Sequence, residues 1–206
     1  MVDGYILLEK QHLRNDYDDN IIIEKVFHSL QEAIKASYQI YVEIRHVLVS
    51  EMTCEYDNID TPYKRNQFNK ETGEFYIEDI NGYYSGMTIK EVSLVLDSTQ
   101  AERLKNNYGS EAYVIYGFRR LKPNETKIEH YISDIVYPNL PTAINESRKL
   151  YNEKLELLKK DSIIANCFDN ETGSFLVSNM DGHYIEGDIK KVHVFPRNNN
   201  IEYLND

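Results

Sequence analysis

The chain has no tryptophan, two cysteines, five prolines and no long apolar run. Each shortage narrows the reading. Cys54 and Cys167 cannot build a disulfide framework, so free thiols are expected. No stretch approaches the ~18–20 apolar residues that a membrane span needs. The opening segment MVDGYILLEKQ holds only four apolar residues in a row and an acid at Asp3, which does not fit a signal peptide. A cytoplasmic location with no membrane contact is the expectation.

Basic residues are also scarce. Against 34 Asp+Glu there are 23 Lys+Arg, a formal net charge of −11. The deficit is uneven: residues 1–110 hold 19 acids and 11 bases, residues 111–206 hold 15 and 12. Such a field repels phosphate, so direct nucleic-acid binding is not expected and a basic protein partner is. Acidity also serves solubility alone, and that is the plainer explanation.

Catalytic signatures are missing too. No G-x-x-x-x-G-K-[ST], G-x-G-x-x-G or G-x-S-x-G occurs. None of His12, His28, His46, His130, His183 and His193 lies in H-E-x-x-H, and neither cysteine lies in C-x-x-C. Glu78 and Asp79 are strand neighbours, which point to opposite faces and do not act together. No metal, no cofactor and no enzymatic activity is expected.

What the chain does have is a phrase written twice. FNKETGEF (Phe68–Phe75) recurs as FDNETGSF (Phe168–Phe175). The match runs on without a gap to Val95 and Phe195, keeping Phe68, Glu71, Thr72, Gly73, Phe75, Gly82, Tyr84, Ile89, Lys90 and Val92 at positions one hundred higher. Upstream, Leu30, Ala33, Ile34, Ser37 and Tyr41 recur as Leu140, Ala143, Ile144, Ser147 and Tyr151. Their i, i+3, i+4, i+7, i+11 spacing is one face of an α-helix. The second offset is 110, so the first copy is expected to have a longer connection after its helix, within residues 51–67.

These repeats predict an α+β fold, an internal tandem duplication of a β-β-α-β-β-β module. Each copy is expected to be an antiparallel sheet with one helix packed on a face. The NKETG and DNETG turns end on Gly73 and Gly173, a type I turn closed by a left-handed glycine. Asn81-Gly82 and Asp181-Gly182 mark a second hairpin. Ser29 with Glu32 forms a capping box, and Asn139 is the second helix's N-cap. The expected organisation is a first module over 1–100, a linker with a short helix over 101–110, and a second module over 111–206.

Two acidic segments of the first copy stand out: DYDD, with Asp16, Asp18 and Asp19, and EMTCEYDNID, with Glu51, Glu55, Tyr56, Asp57 and Asp60. Both are read as loops. Tyr83 and Tyr84, at the second hairpin turn, add aromatic contacts of the kind favoured at interfaces. Together these residues are the expected partner-binding site. The functional expectation is a non-enzymatic acidic protein that blocks a basic, nucleic-acid-processing partner. Abundant Asn, Ile, Lys and Tyr suit an AT-rich bacterial or phage genome, hence a phage-type inhibitor of host defence of the anti-CRISPR kind. The alternatives are an immunity protein against a basic toxin, and a small-molecule binder or enzyme with its site between the modules. A monomer is expected, with a homodimer as the alternative.

Overall fold

Both copies of the repeated phrase fold into the same turn. In the computed structural model, Asn69 Oδ1 accepts from the N–H groups of Glu71 (2.9 Å) and Thr72 (3.2 Å). Asp169 Oδ1 does the same for Glu171 (2.7 Å) and Thr172 (3.1 Å). Gly73 and Gly173 then adopt φ of 70° and 76°, a conformation that costs little only without a Cβ. Each turn closes with paired backbone bonds, Asn69 to Glu74 and Asp169 to Ser174, both 2.8 Å.

The structure describes residues 2–12, 20–55, 63–82, 84–106, 109–120, 129–158 and 163–196, with backbone alone at 11, 12, 20–24 and 48–55. The fold is mixed α/β, and the described residues form ten strands and three helices. In chain order these are β1 (Val2–His12), β2 (Asn20–Phe27), α1 (Leu30–Glu55), β3 (Tyr63–Phe68), β4 (Phe75–Asp79), β5 (Tyr84–Leu94), α2 (Ser98–Lys105), β6 (Ser110–Arg120), β7 (Glu129–Tyr137), α3 (Leu140–Leu158), β8 (Ile163–Phe168), β9 (Phe175–Asn179) and β10 (Tyr184–Val194). They divide into one unit of residues 3–91 with 195–206, and another of residues 1–2 with 92–194.

In the first unit the strand order is β2-β1-β5-β4-β3. Helix α1 starts behind Ser29, whose Oγ accepts from Glu32 N at 3.2 Å. Its apolar face delivers Ala33 and Tyr41 to a core of Leu7, Phe27, Phe75, Ile77 and Met87. The repeated serine has a specific task here. Buried Ser37 donates its hydroxyl to the carbonyl of Gly73 at 2.5 Å, tying the helix to the turn. Phe195 also belongs to this unit: its N–H bonds Val26 O at 2.9 Å, and its ring stacks on Phe27 at 5.1 Å.

The second unit has the order β7-β6-β10-β9-β8. Asn139 caps α3 by accepting from Thr142 N at 3.0 Å. Ser147 repeats the tie, donating to Gly173 O at 2.6 Å. Phe175, Val177, Ile185 and Leu158 form one core cluster; Ile115, Tyr137 and Ala143 form another. Gly117 and Gly187 face each other across β6 and β10. The Phe175 ring fills the space beside Gly187, and the Tyr131 ring the space beside Gly117.

The registers recorded within β1–β5 and within β6–β10 are antiparallel, as expected. Ser93 and Leu94 at the end of β5 run parallel to Ile135 and Val136 of β7. Parallel neighbours need a long crossover, and α2 and β6 supply it. One expectation needs correction: the longer connection after the first helix is partly helix. No Gly or Pro occurs from Leu30 to Glu55, and α1 runs 26 residues against 19 for α3. Glu51 and Glu55 therefore lie on a helix rather than in a loop.

Candidate binding surface

Alternation along β4 sorts its side chains. Phe75, Ile77 and Asp79 are buried, while Tyr76 and Glu78 take the opposite face. Tyr84 begins β5 beside them. The Tyr76 and Tyr84 rings stack at 5.6 Å, and Lys10 Nζ from β1 lies 5.9 Å from the Tyr84 ring centre. Next along the face, Glu78 holds Lys64 Nζ at 2.5 Å and Arg65 Nε at 3.8 Å. The Tyr76 hydroxyl donates to Glu78 at 3.5 Å. Lys64 holds the Glu78 carboxyl below its usual range, and burial, with Glu78 alongside, raises Tyr76.

Among the described residues, Tyr84 thus meets the Tyr76 ring, Lys10 and its cross-strand partner Glu78, which in turn holds Lys64 and Arg65. Of the other expected partner-binding residues, Glu51 and Glu55 are placed by backbone on the last turns of α1. Asp16, Asp18, Asp19, Tyr56, Asp57, Asp60 and Tyr83 lie outside the described residues. Tyr76, Lys10, Lys64 and Arg65 went unnoticed in the sequence. The alternation of FYIED could have found Tyr76; the two lysines and the arginine come from strands that only pairing brings near.

Beside this face lies an open groove of about 970 Å³. It is lined by the β3–β4 turn and by Phe68, Tyr76, Met87 and Thr88. Several of its polar groups already serve the fold. Asn66 Oδ1 accepts from the Tyr41 hydroxyl at 2.7 Å, and Asn69 is committed to the turn.

Elsewhere the titratable groups act as structural partners. The Tyr131 hydroxyl donates to Glu186 O at 3.1 Å, and burial raises its pKa far above the usual value. Tyr184 donates to the Glu186 carboxylate; burial, then that bond, push it up to about 12. Tyr116 donates to Asp188 at 3.2 Å. His183 Nδ1 lies 2.9 Å from the buried Asn179 amide, and His130 packs edge-on against Phe118 at 4.7 Å. Cys167 is a free, exposed thiol on β8. Among the described residues no group of His, Cys, Asp and Glu is placed to hold a metal ion, and no helix is long and apolar enough to cross a membrane.

Compared with known proteins, the chain matches no family model, no curated protein and no solved structure.

Proposed function

We propose that the chain is a non-enzymatic acidic binding protein that engages and blocks a basic, nucleic-acid-processing protein. The observation that carries this reading is the acidic end of α1. Glu51 and Glu55 fall in its last turns, and no basic residue lies in the last turn. The negative end of the helix dipole favours cations, so carboxylates there gain from a cationic partner. The segment then continues into Asp57 and Asp60, and DYDD adds Asp16, Asp18 and Asp19. Tyr84, stacked on Tyr76, contributes an aromatic contact. A phage-type inhibitor of host defence fits this chemistry, as does an immunity protein against a basic toxin; both occupy a partner's phosphate-binding surface.

The test is affinity capture from nuclease-treated extract with two baits. One is the native chain. The other carries Asn at Asp16, Asp18, Asp19, Asp57 and Asp60 and Gln at Glu51 and Glu55. A stoichiometric basic protein held by the first and lost by the second, and released by salt, supports the proposal. Equal capture by both removes it.

The two units are further proposed to be tandem copies of one module. The same strand order, the same bulge one residue into β3 and β8, and the same serine–glycine tie support this. A second functional reading, small-molecule binding, is favoured only by the groove at Asn66–Thr88, which belongs to one unit. A rise in melting temperature with a nucleotide or sugar would support it.

A further inference from the structure

Strands β3 and β8 hold equivalent places, each paired with a single neighbour among the described residues. Such an edge presents unpaired backbone donors and acceptors, which proteins blunt with charge. In β3, YKRNQF, the edge is guarded: Lys64 and Arg65 are exposed and adjacent. In β8, IIANCF, the same two positions are Ile164 and Ala165, and the strand holds no charge at all. Ile164 is 66% exposed, as is Met180 at 72% in the turn that follows β9. The register break at Ile164 protects one end of the strand, but Ala165 to Phe168 pair regularly with β9.

We propose that β8 pairs antiparallel with β8 of a second copy, joining two chains edge to edge. The occupant is argued from charge. A two-fold contact sets a surface against itself, so it must be complementary to itself. Across β3 that symmetry brings Lys64 and Arg65 against their own copies, like charge on like. Across β8 it brings a neutral ladder and apolar side chains together. In a chain of net charge −11, a neutral edge is where two copies meet at least repulsion. Backbone bonds supply the contact, as in other strand additions, and the uncharged side chains supply the fit.

The geometry carries its own probe. With the two-fold axis at Asn166 or Cys167, the two Cys167 residues lie within about 10 Å, from strand spacing and rise. Sedimentation equilibrium of the full chain, from micromolar to near-millimolar concentration, should show the mass rising from 24.2 kDa toward twice that value. In a Cys54→Ser background, a short bismaleimide should link the two chains through Cys167. Ile164→Lys with Ala165→Arg, which gives β8 the guard of β3, should keep the chain monomeric with its circular dichroism unchanged. Should that variant lose its fold, Cys167→Lys puts charge on the same edge and should also prevent association. Three results would overturn the proposal: a single-chain mass at every concentration, a dimer that survives the charged edge, or a dimer that Cys167 does not cross-link.

Discussion

Replacing Gly73 by alanine separates two reasons for a glycine. The first is conformational. At φ of +70° an alanine costs about 1–2 kcal/mol from its Cβ. The second is steric: the new Cβ would stand 2.7 Å from Ile89 Cδ1, 2.9 Å from Ile34 Cγ1 and 3.0 Å from Ile34 Cα. The Ile89 methyl can turn aside, but Ile34 Cα belongs to helix α1, which Ser37 ties to this same turn. Such overpacking adds about 1–3 kcal/mol. Gly82 is the internal control, with φ of +87° and nothing within 4 Å of an added Cβ. Gly82→Ala should therefore cost about 1–2 kcal/mol and Gly73→Ala about 2–5 kcal/mol. Any gain from a stiffer unfolded chain is common to both and cancels. Urea unfolding followed by circular dichroism measures the difference. If the two variants agree within about 0.5 kcal/mol, the size of an ordinary surface change, the repeated turn is not held against the helix as described.

Three more predictions follow from the same contacts. Ser37→Ala and Ser147→Ala each remove a fully buried hydroxyl donor and should cost about 1–3 kcal/mol by urea unfolding, with little change in the spectrum. Asp169 is held below the usual aspartate value of 3.8 by the Glu171 and Thr172 amides, so its contribution is present above 3.8 and lost as pH falls through the lowered value. Asp169→Asn, which restores the residue found at Asn69, should abolish the acid-induced rise in hydrogen exchange at those two amides. Tyr184 is raised from 10.0 to about 12, so its contribution is present below pH 10 and lost as pH climbs toward 12. Tyr184→Phe should flatten the alkaline loss of stability over that window, read against tyrosinate absorbance.

Local signals gave the turns, caps and helix face because each depends on neighbours in the chain. Ser29, Asn139, Gly73 and Gly173 all act within a few residues of themselves. Periodicity placed Ser37 on the inward face of α1, but its acceptor lies 36 residues on, and no spacing rule names it. The parallel pairing of Leu94 with Val136 was invisible for the same reason: it is a tertiary choice made after two further strands. The length of α1 was readable, since no breaker interrupts it, yet the acidic composition suggested a loop. The surface around Tyr84 was half legible. Tyr76 follows from alternation, whereas Lys10 reaches Tyr84 only through strand assembly. Charge was read from composition, which says how much there is and not which residues gather.

The central claim is that carboxylates of the first acidic segments steer a basic partner. The direct measurement is the association rate of the captured partner with the native chain and with the neutralised variant, over a series of ionic strengths. The account predicts a fast rate at low salt that falls by about 10–1,000-fold as salt rises, and a slow, salt-insensitive rate for the variant. Equal rates for both chains at every salt concentration would contradict it.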